Sequence, residues 1–431
     1  MIGWEYPPHI TGGLGIACQG MARALAEAGH TVYMLLPHLH GDEEQVDGIQ
    51  LIDISASMDF LSNTDIHTLE SLRHYQELLS TPFSVYSSGW EVLQDWQQKL
   101  REIQFVSTEN RKNLLAGGYG DDLFFQVSCF REWVGLVARY LDFDVIHAHD
   151  WMCFGAGKAA ADASGKPFIA HIHATEFDRN PLGINQGIYD LERRGFHEAD
   201  SIVSVSNYTA RTLMQHYGVP PEKIHVVHNG VDLAHELTHQ WQDRSQRAIA
   251  PNDYIVLFLG RITFQKGPDY FVRAAAKVIE RLPGVRFVMA GKGDMYQRMI
   301  EMAAEMGIGK YFHYTGFLSK AEVREAYLNS DLYILPSVSE PFGISPIEAM
   351  LHGVPVILSR QSGVSEVITH CMKVDFWNVD EIADRMISLL SDESLRANIR
   401  ELAYEEAKTI SWQKAAEKLG WVYETALIAR G

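Results

Sequence analysis

Two carboxylates eight residues apart, Glu340 and Glu348, frame the segment Glu340-Pro341-Phe342-Gly343-Ile344-Ser345-Pro346-Ile347-Glu348. A continuous helix would separate them by about 12 Å along its axis. Pro341 and Gly343 instead predict a loop, followed by a helix that opens at Pro346. Ser345 is the expected N-cap, and Ser345-x-x-Glu348 fits a capping box. That gives Glu348 a purely structural alternative, whereas Glu340 has none of this local kind. A basic pair, Arg261 and Lys266, stands in Gly260-Arg261-Ile262-Thr263-Phe264-Gln265-Lys266-Gly267. The planar fork of arginine and the point charge of lysine suit a diphosphate. Together they would steady a leaving nucleoside diphosphate without a metal. The plain alternative is two exposed loop cations. Paired acids alone would also fit a glycosidase, but a glycosidase has no need of the basic pair.

Histidines gather in His147-Ala148-His149-Asp150-Trp151 and in Ala170-His171-Ile172-His173, both at the ends of predicted strands. Strand C-termini line the ligand crevice of an open α/β sheet. An HxH on a strand turns both imidazoles to one face and so could hold a metal. No third ligand follows at a clear spacing, and hydrogen-bonded core histidines are the alternative for His147 and His171. Thr11-Gly12-Gly13-Leu14-Gly15 is a glycine cluster ahead of a helix. Backbone amides there can approach an anion at the helix N-terminus. A dinucleotide fingerprint would need a third glycine and an acidic residue after the next strand. The chain has neither, so a tight strand–helix turn is the nearer alternative. Asp142-Phe143-Asp144 has the form of a metal-binding Asp-x-Asp, but it leads directly into an apolar strand.

The background sharpens these motifs. The 431 residues are 46% hydrophobic and 21% charged, with a formal net charge of −18. Such a surface repels phosphate backbones, which argues against a nucleic acid partner. Clustered cations are correspondingly informative. Cys18, Cys129, Cys153 and Cys371 form no CxxC pair, so neither a zinc knuckle nor a disulfide framework is indicated. Neither a leader peptide nor a membrane-spanning run is recognisable, and a cytoplasmic setting is expected. Met1 enters directly into what reads as the end of a strand. Either the first strand is short or residues precede it in the natural product.

The elements that must position these groups alternate. Apolar runs at Thr31–Pro37, Phe143–Ala148, Phe168–His173, Ser201–Val205 and Ile224–Val227 read as buried parallel strands, interspersed with helical patterns such as Ile16–Ala28. A polar stretch from Asp232 to Asn252 follows. A second series then runs through Tyr254–Gly260, Val285–Gly291, Tyr311–Thr315, Leu332–Pro336 and Val354–Ser359. This predicts one α/β domain over 1–235 and another over 250–411, with a closing amphipathic helix over 412–431 that can pack on either and is expected to return to the N-terminal one. Residues 41–125 read as an irregular insertion in the first domain, a place for acceptor recognition or a solvated excursion.

Taken in order along the chain, these segments resemble the retaining glycosyltransferases of family four and the glycogen and starch synthases. The likeness rests on Glu340…Glu348 as an E-x7-E motif, Gly260-Arg261-Ile262…Gln265-Lys266-Gly267, Trp4-Glu5-Tyr6-Pro7-Pro8…Gly12-Gly13-Leu14-Gly15, His147–Trp151 and His173–Arg179. It covers nearly the whole chain apart from 41–125. It implies a GT-B fold, an α/β protein of two Rossmann-like domains facing across a cleft. It also implies a nucleotide-sugar donor, a glycan acceptor, and no cofactor or metal. By this resemblance Arg261 and Lys266 bind the donor diphosphate. Glu340 contacts the sugar hydroxyls, Glu348 the ribose, and His173 sits beside the anomeric centre. Gly12 and Gly13 approach the diphosphate from the first domain. Amides near Phe342, Gly343 and Ile344 add donors, and Asp150 meets the sugar or acceptor. Retention by front-face attack requires no protein base, and domain closure would exclude water. The expected reaction is hexose transfer from ADP-glucose or UDP-glucose to a glucan. Lipid, small-sugar or surface-glycan acceptors, a non-catalytic binding protein, an epimerase of the same fold and a metallohydrolase are the alternatives. Two departures stand out. Ile10-Thr11 replaces the lysine often found before the glycine pair, and Val374-Asp375-Phe376-Trp377 replaces a shorter turn.

Overall fold

The computed structural model describes residues 1–57, 115, 117–120, 122–181, 183–233 and 253–430. Most of the 41–125 insertion and most of the polar stretch before Asn252 lie outside these residues. In chain order the first elements are α1 (Gly13–Glu27), β1 (Val32–Leu36), β2 (Ile49–Asp53), α2 (Leu123–Val137), β3 (Ile146–His149), α3 (Trp151–Ser164) and β4 (Phe168–Ile172). After them come α4 (Gln186–Glu198), β5 (Ser201–Ser204), α5 (Asn207–Tyr217) and β6 (Ile224–Val226). The second series is β7 (Tyr254–Leu259), α6 (Pro268–Arg281), β8 (Val285–Ala290), α7 (Tyr296–Glu305), β9 (Phe312–Gly316), α8 (Lys320–Leu328), β10 (Leu332–Leu335) and α9 (Ser345–Leu351). It closes with β11 (Val356–Ser359), β12 (Met372–Val374), α10 (Val379–Ser391), α11 (Glu393–Ala407) and α12 (Trp412–Arg430). By packing, the chain forms two units. One comprises Met1–Ile172, Asn185–Val203 and Gly420–Gly431, and the other His173–Ile184 and Ser204–Leu419. Among the described residues no helix is long and apolar enough to cross a membrane.

In the first unit β1 and β2 pair in parallel, from Val32↔Ile49 to Leu36↔Asp53. Ile2 makes parallel bridges to both Leu35 and Ala148, which sets the N-terminal segment between β1 and β3. β3 and β4 run parallel from Ile146↔Phe168 to His149↔His171. Every residue of these two strands is buried, as expected of a parallel sheet covered on both faces. α3 lies close against them: a Cβ on Gly157 would fall 2.4 Å from the Phe168 ring. The last turns of α12 are tied in by Arg430, which donates to the Gly165 and Lys166 carbonyls, each at 2.8 Å, and to Asp200 at 3.0 Å.

In the second unit six strands form one parallel sheet in the order β12-β11-β10-β7-β8-β9. Its core stacks aromatic rings, with Phe258–Phe271 centroids at 5.6 Å and Phe271–Phe287 at 5.7 Å, a spacing that suits offset and edge-on contacts. The strand order grows outward in both directions from β7 and β10. The topological switch point therefore lies between those two strands.

Three details differ from the sequence reading. The stretch read as irregular from residue 41 contains a regular strand, β2. Only Ile49 in it is fully buried, so its hydrophobic signal is weak. α1 begins at Gly13 rather than Ile16. α9 begins at Ser345 with Ile344 as its N-cap, and Pro346 is its second residue. The expected Ser345–Glu348 capping box does not form. Ser345 Oγ accepts instead from the Tyr333 hydroxyl at 2.9 Å, and the Glu348 amide donates to Ile344 O at 3.2 Å.

Candidate functional site

The switch point explains why the chemistry-bearing motifs stand where they do. The loop carrying Arg261 and Lys266 leaves the end of β7, and the loop carrying Glu340 leaves the end of neighbouring β10. Crevices outside strand C-termini at such a point are where open α/β sheets bind ligands. The two loops are laced together. Val338 N donates to Gln265 O at 2.9 Å, and a Cβ on Gly267 (φ 64°) would fall 2.1 Å from Pro336 O. The β7 loop is also sewn to the β8 loop, with Gly260 N→Ala290 O at 3.0 Å and Ile262 N→Lys292 O at 2.9 Å. Such constraints hold Arg261 and Lys266 on rigid backbone.

Lys266 Nζ donates to the Glu340 carboxylate, which also accepts from Ser337 Oγ at 3.2 Å. The two side chains are only 16% and 6% exposed, so their pairing is screened little by water. Arg261 donates to Gln265 Oε1 at 3.2 Å. Glu340 is fixed through its backbone by Glu340 N→Gln361 O at 3.0 Å and Gly363 N→Glu340 O at 2.8 Å. Gly343 turns the chain with φ 97°, a conformation that favours glycine. Phe342 O accepts from Val364 N at 2.8 Å and Ile344 O from Ile347 N at 2.9 Å. The Phe342 and Ile344 carbonyls are thus engaged at the start of α9. Glu348 accepts from the Tyr327 hydroxyl at 3.1 Å.

Several partners escaped the sequence reading. Ser339 precedes Glu340 and donates to Asp178 Oδ1 at 2.6 Å, with the Tyr208 hydroxyl 3.1 Å from its Oγ. Asp178 Oδ2 accepts from Thr175 N and Oγ1, both at 2.8 Å. This capping box holds the turn that follows His173. Burial raises the Asp178 carboxyl above its ordinary pKa, although Ser339 and Thr175 donate to it. The Thr175-x-x-Asp178 pattern was readable in the sequence as a capping box. Nothing local pointed to Ser339, Tyr208, Tyr327 or Tyr333. His173 itself is half-buried and belongs with this second unit.

The other expected residues lie in the first unit. Glu5 organises the glycine loop, accepting from Thr11 N at 3.0 Å, Thr11 Oγ1 at 2.8 Å, Gly15 N at 3.2 Å and the Tyr119 hydroxyl at 3.3 Å. Gly12 and Gly13 face open space, since a Cβ on either would meet nothing within 4 Å. Among the described residues Asp150 alone, apart from glycines, has positive φ, at 62°. Strain of this kind concentrates at functional sites. Its amide is held by His171 O at 2.8 Å. The strand-end histidines join three deep. His147 Nδ1 lies 2.7 Å from the Tyr423 hydroxyl and its Nε2 lies 3.0 Å from His171 Nδ1. His149 brings a ring nitrogen within 4.8 Å of both partners. The sequence reading names His171 but finds no third ligand at a clear spacing, because His171 joins His147 and His149 across the β3–β4 register rather than along the chain.

Residues 114–235 match the family described as Glycosyltransferase Family 4, and residues 239–406 the family described as Glycosyl transferases group 1. An uncharacterized glycosyltransferase of Methanocaldococcus jannaschii is 27% identical over 446 residues, 100% of this chain and 99% of its own. A glycogen synthase of Mycobacterium tuberculosis is 25% identical over 446 residues, 99% of this chain and 94% of its own. Among solved structures, sucrose-phosphate synthase from Thermosynechococcus elongatus superposes with a TM-score of 0.70 at 18% identity, covering 97% of this chain and 94% of that one. Two parallel-sheet Rossmann-like units place the chain among the GT-B folds. The chain belongs to the group 1, family four glycosyltransferases, retaining enzymes that use nucleotide-sugar donors.

Proposed function

We propose that this enzyme transfers glucose, with retention of configuration, from ADP-glucose or UDP-glucose to a glucan, in the manner of a glycogen synthase. The observation that carries the reading is the Lys266–Glu340 pair at the switch point. It brings a cation for the donor's phosphates beside a carboxylate for its sugar hydroxyls, from residues 74 apart in sequence. The full-length likeness to a glycogen synthase supports the glucan acceptor.

In this reading Arg261 and Lys266 face the negative charge that grows on the leaving diphosphate. The sugar's hydroxyls take up the carboxylate of Glu340, whose position Ser337, Ser339 and Gln361 maintain. Glu348, steadied by Tyr327, receives the ribose. Amides of Phe342, Gly343 and Ile344, and those of Gly12 and Gly13, supply further donors. His173 lies beside the anomeric carbon, and Asp150 meets the sugar or the acceptor. The departing phosphate takes the acceptor's proton as the new bond forms on the same face, so no side chain serves as a base. No metal enters the scheme.

The test is release of nucleoside diphosphate from ADP-, UDP- and GDP-sugars without added metal, with and without glycogen or maltooligosaccharides. Glucan-stimulated release from ADP-glucose or UDP-glucose is the expected result. Release that glucans leave unchanged removes the glucan acceptor. No release from any donor removes the transfer reaction.

A further inference from the structure

The loop after β1 and the segment before the glycine loop meet in a patch of imidazoles and carboxylates that the transfer reaction does not use. His9 Nε2 lies 2.7 Å from Asp42 Oδ1. One ligand atom from each of His9, Asp42 and Glu43 falls within 4.8 Å of the others. The three side chains are held from behind. The His9 ring stacks on His40 with centroids 3.8 Å apart and planes 31° apart, and His38 packs edge-on against His40 at 5.0 Å. Glu43 accepts from the amides of His40 at 2.8 Å and Gly41 at 2.9 Å, which pins its carboxylate. His38 is anchored in turn by Ser55 at 3.2 Å and by Asp53 at 3.4 Å.

We propose that His9, Asp42 and Glu43 bind a zinc-class divalent cation, which staples the segment leading into the glycine loop to the loop after β1. One imidazole and two carboxylates form a mixed nitrogen and oxygen set suited to zinc or cobalt, with water completing the shell. The His9–Asp42 spacing needs to open only slightly to admit an ion with bonds of about 2.0–2.2 Å to each. His9 and Asp42 are 42% and 61% exposed, so an ion reaches them directly, whereas the His147–His171 pair is sealed in the core. The chain's net charge of −18 draws cations to such a surface. Stapling would stiffen the backbone between His9 and Thr11, immediately before Gly12.

The experiment is zinc titration of the full chain, stripped with chelator, by calorimetry, and cobalt titration by visible absorption. H9A and D42N are each expected to lose one equivalent of zinc, or to bind it at least about tenfold more weakly, and to lose the matching cobalt bands. H40F keeps the stacked ring but no ligand atom, and is expected to bind as the parent does. Magnesium at equal concentration is expected to leave cobalt in place. Unchanged zinc stoichiometry and affinity in folded H9A and D42N overturns the proposal. So does a loss in H40F equal to that in H9A, or displacement of cobalt by magnesium. Thermal unfolding of each variant establishes that it is folded, and H9Q repeats the test should H9A not be.

Discussion

Glycines in loops that lead into helices serve opposite ends in the two units. In the second unit Gly267, Gly291 and Gly293 leave out a side chain so that backbone can meet backbone. A Cβ on Gly267 would lie 2.1 Å from Pro336 O, one on Gly291 1.9 Å from Gly260 O, and one on Gly293 2.2 Å from Ile262 O. In the first unit Gly12 and Gly13 have nothing within 4 Å of where a Cβ would stand. Filled glycines build the scaffold, and open ones leave room for something else. The contrast separates loss of fold from loss of ligand contact.

The largest effect belongs to the filled glycines. Gly291 has φ 133° and Gly267 φ 64°, so alanine at either meets backbone strain and a clash together. Each of these effects is of order 1–3 kcal/mol. Gly291→Ala and Gly267→Ala should therefore lower the urea midpoint strongly and take activity down with it. A variant as stable as the parent would show that these approaches are not structural.

Next comes the ion pair those glycines position. Arg261→Ala and Lys266→Ala should each reduce turnover by ~10²-fold or more, the usual effect of removing a charge partner of the transition state. Lys266→Met also strands the buried Glu340 carboxylate, at up to about 3 kcal/mol of stability. The double variant Lys266→Met with Glu340→Gln removes both charges, and should recover most of that stability but none of the turnover. Recovery of turnover would mean that the pair is scaffold only. Near-parental turnover in both alanine variants would remove the diphosphate assignment.

How much of this was legible beforehand depended on distance along the chain. Strand-end motifs such as Gly260–Gly267 and Glu340–Glu348 announce themselves, because buried parallel strands are apolar runs and the polar residues that follow them stand out. The Ser339–Asp178 bond spans 161 positions, and no local pattern encodes it. Ser345 satisfied every local rule for an N-cap, yet Tyr333 arrives from β10 and takes its hydroxyl. A tertiary partner outcompeted a local one. β2 escapes because only Ile49 of its five residues is buried, so its pattern is too weak and short to stand out.

A smaller effect separates the open glycines from the filled ones. Gly13 is the first residue of α1 and has no positive φ, so alanine there meets neither backbone strain nor a clash. Gly13→Ala should therefore leave stability unchanged. If the donor's diphosphate approaches this backbone, turnover should still fall by about tenfold or more, because a methyl group there misplaces the reacting atoms. Gly15→Ala is the internal control, since its Cβ would lie 2.4 Å from Ile10 Cγ2 and 3.3 Å from Glu5 Cγ. It should lose both stability and turnover. Full activity in folded Gly13→Ala would leave that open space without a ligand.

The smallest effect tests whether the scaffold around the second loop depends on pH. Glu366 accepts from the amides of Asn207 at 2.8 Å and Tyr208 at 2.7 Å, with His228 Nε2 3.3 Å away and Arg211 at 3.9 Å. Burial lowers the His228 pKa below its ordinary 6.5, although Glu366 pulls it up and Lys418 adds to the lowering. In this window the unfolded chain binds more protons than the folded one, so stability rises with pH. The contribution is complete above 6.5 and is lost as pH falls through the folded-state value. The urea midpoint of the parent should therefore drop further between pH 7.5 and pH 5 (on the order of one ordinary histidine titration) than that of His228→Asn, which cannot take up the proton. Equal drops would show that the Glu366 carboxylate compensates the charge fully. The brace across the start of α5 would then hold independently of pH, as the filled glycines do.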